Sequence, residues 1–205
     1  MKSRLKICSI SVCLSALLAT TQPISAQVVD TDEPETFDIE LNTPTVTPKQ
    51  VGALRNAMSN YEQSLIDQGL TVELIRDDQV LSITVELDLL FAPNSTTLLA
   101  TAEDELRPLL EYTRHYGKFK ILLAMHSDNT GSDKYKEWLC IERINSLYDY
   151  FDRHGSTPAM VYGYPMTDTQ PLVNNNTRSN RAMNRRLEVY IVPGPELINN
   201  LKNKK

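Results

Sequence analysis

The first sustained pattern of hydrophobic and polar positions begins near residue 48. Apolar side chains recur there every three or four residues and predict an amphipathic helix over residues 48–68. Thr47, Pro48 and Gln50 fit a capping box with proline in the first turn, and a glycine at 69 marks the end. Such a helix either packs on the rest of the chain or serves self-association or partner docking. The apolar positions are Val51, Leu54, Met58, Tyr61 and Leu65.

The next segments predict a hairpin and a bent helix. Residues 71–76 and 80–87 are rich in strand-forming residues around a short polar turn, which is typical of two antiparallel strands. Residues 98–116 then carry leucine and alanine on one face, which predicts a helix. Pro108 lies inside this helix and predicts a kink, because proline has no backbone N–H to donate.

The carboxy-terminal half alternates strands and helices. A nearly continuous apolar run predicts a strand over residues 119–125, and helical spacing predicts a second amphipathic helix over residues 133–153. Two further strands are predicted over residues 160–164 and 186–191, separated by a polar loop over residues 171–184. This order of elements predicts an α+β fold, with one mixed sheet and helices packed on it.

Both ends of the chain differ from this pattern. Residues 1–26 combine three basic residues, a short apolar run and a small-residue end at Ala26, which predicts a secretory signal peptide. The run is interrupted by serines and is shorter than the ~20 residues of a membrane span, so we expect no transmembrane span in the mature chain. Cys13 is a poor match to a lipid-acceptor cysteine. Residues 27–47 predict an acidic flexible or loosely docked linker, and residues 194–205 predict a mobile basic tail.

Charge and cysteine content narrow the classes of partner. The whole chain has 21 basic and 26 acidic side chains. Cleavage after residue 26 removes three bases and no acid, which leaves 18 against 26 and a net charge of −8. An acidic surface repels phosphate backbones, so we expect no nucleic-acid partner. Cys140 would then be the last cysteine, so stability must come from a hydrophobic core.

The sequence contains no catalytic motif. Its seven glycines form no phosphate-binding loop, and its three histidines are scattered without metal-ligand spacing. His126, Ser127 and Asp128 have the residue types of a hydrolytic triad, but neighbours in a strand point to opposite faces. We therefore predict no catalytic residue, no cofactor and no metal, and a protein that is not an enzyme.

An acid and an arginine are spaced to meet at the end of a strand. Asp128 lies just past the strand predicted over residues 119–125, and Arg143 comes fifteen residues later in the next helix. A long helical side chain leans toward the helix N-terminus, so Arg143 can reach the strand end. Ligands bind at this edge of sheets with parallel strands. The alternative is a salt bridge between Asp128 and Arg143 that only ties strand to helix.

These two residues belong to a longer resemblance. The segment from Asp128 to Arg143 resembles the pattern Thr-Asp-x-x-Gly, then Tyr-Asn-x-x-Leu-Ser-x-x-Arg-Ala, of the OmpA/MotB carboxy-terminal family. The resemblance covers about residues 80–193 and leaves residues 48–79 as an appendage of helix and strand. Three further stretches resemble the family's first strand and turn, its glycine turn and its closing strand: residues 90–95, 162–165 and 181–189.

The resemblance implies a βαβαββ-type fold that binds the peptidoglycan stem peptide noncovalently, chiefly through its diaminopimelate residue. Asp128 would pair with the ammonium group of the ligand, and Arg143 would bind its carboxylate. Asn94, Thr130 and Arg185 fall at family positions that line or support the pocket. These five residues are the predicted ligand-binding site.

Five positions depart from the family pattern. Lysine replaces asparagine at 136, cysteine replaces serine at 140, and serine replaces threonine at 127. Isoleucine replaces alanine at 144, and asparagine replaces glycine at 180. Because the exchanges at 136 and 140 alter hydrogen-bonding groups, we expect a changed affinity or ligand preference.

Two functions therefore stay open. The first is a peptidoglycan-binding module of the periplasm that links an envelope assembly to the cell wall, with the amino-terminal helix docking it to an outer-membrane or envelope partner. The second is an OmpA-fold interaction protein of a periplasmic or surface-appendage complex, with weak or no glycan binding. Intact Asp128, Arg143 and Arg185 favour the first function, whereas the exchanges at 136, 140 and 180 favour the second.

Overall fold

A computed structural model of the protein describes residues 37–38, 40–156 and 160–203. The predicted signal peptide, residues 1–26, and the first part of the predicted linker lie outside these ranges. Within them the chain forms a five-stranded mixed sheet with helices packed on it, which confirms the predicted α+β class.

Helix α1 spans Pro48–Ile66, so it begins at the predicted residue and ends close to the predicted end. The Thr47 N–H donates to Gln50 Oε1 at 3.1 Å, as expected for a capping box. The apolar face of α1 packs inside the domain, so a partner that docks through this helix would contact its polar side. The fully buried side chains on that face are Leu54, Met58 and Leu65.

The sheet has the strand order β1-β2-β5-β3-β4. Strands β3 and β4 are parallel, and the other neighbours are antiparallel. Because β3 lies between two strands and is covered on both faces, it is buried along almost its whole length, which explains its continuous apolar run. The strands are β1 (Thr71–Ile75), β2 (Val80–Glu86), β3 (Phe119–His126), β4 (Val161–Thr167) and β5 (Arg186–Pro193).

The helix predicted over residues 98–116 is broken at Pro108. A 3-10 segment, Arg107–Leu109, separates two short α-helices there, because proline cannot donate the next helical hydrogen bond. In the described ranges no helix is long and apolar enough to cross a lipid bilayer. The helices after β2 are α2 (Leu87–Leu90), α3 (Ala102–Leu106), α4 (Leu110–Thr113), α5 (Asp133–Arg153), α6 (Arg178–Asn184) and α7 (Pro195–Asn203).

Alternation along the strands divides the core into two layers. Ile121, Leu123 and Met125 of β3 belong to the larger layer, which also contains the apolar residues of α1, α3, α4, α5 and α7. Leu122 and Ala124 point to the opposite face of the sheet and belong to a smaller layer.

The smaller layer is closed by residues 37–38 and 40–41, which we call the strap. Phe37 and Leu41 are buried against the sheet. The Phe37 ring lies edge-on to the rings of Tyr164 and Tyr190, at centroid distances of 4.9 and 5.4 Å. This part of the predicted flexible linker is docked on the sheet, because its apolar side chains cover strand residues that would otherwise face water.

Gly163 lies in the middle of β4, rather than in the turn that the resemblance to the family predicts. A Cβ atom at this position would overlap Ile144 Cγ2 of α5 and would lie 2.7 Å from Tyr148 Oη. Glycine is needed here because α5 packs directly on the backbone of β4. This close contact fixes the height of α5 above the sheet.

The prediction of a mobile tail over residues 194–205 is wrong for its described part, which forms α7. Leu197 and Ile198 of this helix are buried. Gln50 Nε2 of α1 donates to the Ile198 carbonyl at 3.4 Å. Burial of these aliphatic side chains, with Leu197 in the larger layer, offsets the entropy lost when the segment is ordered.

Candidate functional site

A cavity of about 310 Å³ opens at the carboxyl end of β3. Its walls come from the loop after β3, the first turns of α5, the turn after α2 and both ends of α6. The structure brings all the predicted site residues together in this one cavity, although their binding of a ligand stays a prediction. They are Asn94, Asp128, Thr130, Arg143 and Arg185.

Asp128 is held by two donors. Its Oδ1 accepts from the Thr130 N–H at 2.8 Å, and its Oδ2 accepts from Arg185 Nη1 at 2.9 Å. Burial by itself raises the pKa of Asp128, but these hydrogen bonds outweigh it and hold the pKa below its ordinary value. The carboxylate is therefore a fixed negative charge on the cavity wall at neutral pH.

Arg143 supplies a positive charge that has no carboxylate partner among the described residues. The residue is 5% exposed, its Nε donates to the Ser95 carbonyl at 2.9 Å, and its guanidinium lies 5.0 Å from the centre of the Phe91 ring. Burial lowers the pKa of Arg143, yet an arginine stays protonated at neutral pH. No carboxylate in the described part of the chain lies within 4.0 Å of it, so the alternative salt bridge with Asp128 is not formed.

Arg185, at the end of α6, binds two acidic residues, Asp88 and Asp128. Its Nη1 bonds to Asp128, while its Nε and Nη2 bond to the two carboxylate oxygens of Asp88 at 3.3 and 2.9 Å. The hydrogen bond to Asp88, followed by that to Asp128, raises the pKa of Arg185 despite its partial burial. Arg185 thus orients Asp128.

Lys136, a departure from the family pattern, brings its own counter-ions. Its Nζ lies 2.6 Å from Asp168 Oδ1 and 2.9 Å from Asp133 Oδ1. The hydrogen bond to Asp168 raises the pKa of Lys136 and outweighs the effect of burial. The exchange therefore adds a cation to the wall that is already neutralised by two acids.

Cys140, a second departure, is buried one helical turn after Lys136. Burial raises the pKa of the Cys140 thiol to about 11, so it is a neutral thiol at pH 7. It does not line the cavity. The loss of the family's serine hydroxyl at 140 therefore removes no polar group from the cavity wall.

Tyr135 connects the start of α5 to the opposite wall. Its hydroxyl donates to Asn94 Oδ1 at 3.3 Å, and its N–H donates to the Ser132 side chain that caps α5. Gly131 has a φ of +98°, and a Cβ there would lie 3.1 Å from Tyr135 Cδ1. A glycine at 131 therefore lets the tyrosine ring lie against the loop.

His126, Ser127 and Asp128 do not form a catalytic relay. His126 Nε2 lies 3.2 Å from Glu188 Oε2, while Asp128 is bound to Thr130 and Arg185. Across the described ranges, no group of three or more His, Cys, Asp or Glu side chains could hold a metal ion.

The sequence does not predict two further lining residues, Asp88 and Arg178. The sequence does contain a feature that could have indicated Asp88, because this residue is the single charged one in the apolar run over residues 87–91. Arg178 lies within the polar loop predicted over residues 171–184 and gives no such signal, since the tertiary fold alone brings it to the cavity.

The cavity therefore holds fixed charges of both signs. Asp128 offers acceptor oxygens, Arg143 offers a guanidinium that can bind a carboxylate through two parallel hydrogen bonds, and the N-terminus of α5 adds positive potential. Such a site is suited to a small ligand that carries both an ammonium and a carboxylate group.

Comparison with known proteins gives one family match. Residues 90–185, slightly less than half of the chain, match the model described as the OmpA family. The chain is 24% identical over 109 residues to outer membrane porin F of Pseudomonas fluorescens, which covers 53% of this chain and 33% of that protein. It is 19% identical over 145 residues to the peptidoglycan-associated lipoprotein of Buchnera aphidicola, which covers 71% of this chain and 78% of that one. The chain thus spans about a third of the length of the porin.

The fold has a matching solved structure. A MotB-like protein from Desulfovibrio vulgaris superposes with a TM-score of 0.61 at 21% identity, over 71% of this chain and 97% of that one. Identity at this level shows the fold alone, and it confirms the predicted βαβαββ-type arrangement of strands and helices. Residues 90–185 of the chain therefore match the OmpA family model, and the chain shares its fold with the MotB-like protein.

Proposed function

We propose that this protein binds the stem peptide of peptidoglycan noncovalently through its diaminopimelate residue, and so links an envelope assembly to the cell wall. One observation carries the proposal: Arg143 is buried in the cavity wall without a carboxylate partner in the described chain, and ionised Asp128 lines the same cavity. The free end of a diaminopimelate residue carries an ammonium and a carboxylate on one carbon. The two charges of the site complement these two groups.

The carboxylate of the ligand binds to Arg143. A guanidinium can donate two parallel hydrogen bonds to a carboxylate, and burial strengthens them because little water competes. The hydrogen bond from Arg143 Nε to the Ser95 carbonyl leaves the two amino groups of the guanidinium to face the ligand. The same anion is favoured by the N-terminus of α5.

The ammonium of the ligand binds to Asp128. Each carboxylate oxygen has two lone pairs, so Asp128 can keep its bonds to Thr130 and Arg185 and still accept from the ligand. Because Arg185 also binds Asp88, it can move part of its bonding to that acid when the ammonium arrives. Arg185 and Thr130 are therefore positioning residues in this proposal.

The relatives support this class of function. One is named an outer membrane porin and another a peptidoglycan-associated lipoprotein, and neither name describes a catalysed reaction. We propose a non-enzymatic role in the periplasm, with the protein held near the outer membrane by an envelope partner.

Cosedimentation with peptidoglycan sacculi that contain diaminopimelate tests the proposal. The parent protein is expected to pellet with sacculi, whereas Asp128→Ala and Arg143→Ala are expected to stay in solution. Circular dichroism and urea unfolding of each variant establish that it is folded. Arg107→Ala, which removes an arginine that is exposed and distant from the cavity, is the matched control and is expected to pellet like the parent.

A parent protein that stays in solution would exclude wall binding and would favour the interaction protein as the function. Folded Asp128→Ala and Arg143→Ala variants that pellet like the parent would show that the wall is bound elsewhere on the protein.

A further inference from the structure

We propose that Tyr135 and Trp138 form a second part of the binding site, which takes a sugar ring of the glycan strand to which the stem peptide is attached. This inference rests on the proposed function. It extends the ligand from the peptide end to the N-acetylated sugar that carries the peptide.

Tyr135 belongs to the cavity and also to the surface. Its ring lines the cavity, its hydroxyl bonds to Asn94, and the side of its ring contacts Gly131. The residue is nevertheless 37% exposed. A ligand that leaves the cavity past Tyr135 would therefore contact this ring.

Trp138 continues the aromatic surface away from the cavity. It follows Tyr135 by three positions on α5, and the two ring centres are 5.8 Å apart with an angle of 31° between the ring planes. The residue is 49% exposed, although a tryptophan normally contributes much apolar area to a core or an interface. Tyr135 and Trp138 thus form one exposed aromatic surface that begins at the cavity.

An aromatic surface of this kind suits a sugar ring. One face of a pyranose presents C–H groups with partial positive charge, and the face of an aromatic ring is electron-rich. Tyrosine and tryptophan also lose little conformational entropy on binding, because each has two side-chain torsions. The stem peptide is covalently attached to a sugar, so a bound peptide necessarily brings a sugar close to the cavity.

A protein partner is a poorer match for this surface. Stable protein interfaces bury about 800 Å² on each side, which is several times the exposed area that two aromatic side chains can offer. A sugar ring, in contrast, is covered by one or two aromatic rings. We therefore assign the aromatic surface to the glycan rather than to a second copy of the chain.

The chain has a single tryptophan, so its intrinsic fluorescence reports directly on this surface. The test compares two probes on the purified protein: the diaminopimelate-containing tetrapeptide alone, and the same tetrapeptide attached to the disaccharide of N-acetylglucosamine and N-acetylmuramic acid. We expect the disaccharide probe to shift or quench Trp138 emission and the peptide alone to leave it nearly unchanged.

Calorimetry then measures the affinity of each probe for the variants. We expect Trp138→Ala to weaken binding of the disaccharide probe about fivefold and to leave the affinity for the peptide within about twofold. Trp138→Phe should bind the disaccharide probe more tightly than Trp138→Ala does and less tightly than the parent. Tyr116→Ala is the matched control, because Tyr116 is 69% exposed but precedes β3, at the opposite end of that strand from the cavity. It is expected to bind both probes like the parent.

The outcomes separate this inference from the function on which it rests. If both probes bind the parent with equal affinity, and Trp138→Ala changes neither, the sugar surface is overturned while binding of the stem peptide stands. If neither probe binds the parent, both proposals fail. Emission that changes with protein concentration, rather than with the disaccharide probe, would assign the surface to contact between copies of the chain and would also overturn the inference.

Discussion

Asp128 and Arg143 line the same cavity without binding each other. Asp128 accepts from Thr130 and Arg185, and Arg143 donates to the carbonyl of Ser95. Arg143 can therefore bind a ligand carboxylate without first separating from Asp128, and Asp128 keeps lone pairs for a donor beside its bonds to Thr130 and Arg185. The separation explains why a zwitterionic ligand, rather than a simple anion, is the best match to the cavity.

Replacement of Arg143 by lysine tests whether the planar guanidinium is needed. Lysine keeps the positive charge but cannot form two parallel hydrogen bonds with a carboxylate. We expect Arg143→Lys to weaken binding of the diaminopimelate-containing tetrapeptide about tenfold, or about 1.4 kcal/mol, as measured by calorimetry. Arg107→Lys, at a 61% exposed side chain, is the control. Equal affinity of the parent and Arg143→Lys would show that charge alone is sufficient.

Glu188 makes the stability of the protein depend on pH. Burial raises the pKa of this carboxyl, but hydrogen bonds from His126 and Tyr190 and the charge of Arg186 lower it to about 2, from an ordinary value of 4.5. A pKa that folding lowers stabilises the fold above the unfolded pKa, and this stabilisation is lost as the pH falls toward the folded pKa. We expect Glu188 to contribute about 3 kcal/mol at pH 7 that disappears between about pH 4.5 and pH 2.

Urea unfolding at pH 7, 5 and 3 measures this contribution. Glu188→Gln is expected to be less stable than the parent at pH 7 and to lose less stability between pH 5 and pH 3. Glu137→Gln, at an exposed glutamate of α5, should keep the profile of the parent. The explanation fails if Glu188→Gln and the parent lose stability in parallel.

Gly163 and Ile144 are expected to be coupled energetically. Gly163→Ala places a Cβ atom against Ile144 Cγ2 and close to Tyr148 Oη, so we expect a loss of about 1–3 kcal/mol in the free energy of unfolding. In an Ile144→Ala background the same substitution should cost less, although Tyr148 prevents full rescue. A double-mutant cycle in urea measures the coupling, and strictly additive losses would argue against this packing.

Helix α7 is expected to be part of the folded core. Leu197→Ala removes a buried side chain, so we expect a loss of about 2–3 kcal/mol in the free energy of unfolding. Leu172→Ala, at a 57% exposed leucine, should change it by less than about 0.5 kcal/mol. If both variants unfold at the same urea concentration as the parent, α7 does not stabilise the domain.

Local patterns in the sequence predict most of the elements. Helix α5 has the predicted bounds, because its apolar period is regular and Ser132 caps its first turn. The break near Pro108 is also predictable from the local sequence, because the missing N–H of proline affects the helix that contains it. The presence of Asp128 and Arg143 in one cavity also follows from a short connection between a strand and a helix.

Contacts between distant segments are not predictable in this way. The partner of Asp128 is Arg185 rather than Arg143, because the end of α6 is brought to β3 by the order of strands in the sheet. The strap and α7 are short, and their few apolar residues give no clear period. Gly163 in β4 is required by a helix that passes over it, which the residues around it in sequence do not indicate.

If the cavity binds the wall as proposed, the strap would shape the response of the protein to mechanical force. A pull from the amino-terminal side would then act on Phe37 and on the contact between Glu40 and Lys120, and it would peel these contacts from the sheet one after another. Contacts that are peeled in sequence yield at lower force than strands that are sheared together. Once released, the strap and the residues up to α1 would reach at most about 35 Å when fully extended, at ~3.3 Å for each residue, before α1 or the sheet carries the force. The strap would thus act as a short mechanical buffer that extends under tension and leaves Asp128 and Arg143 in place.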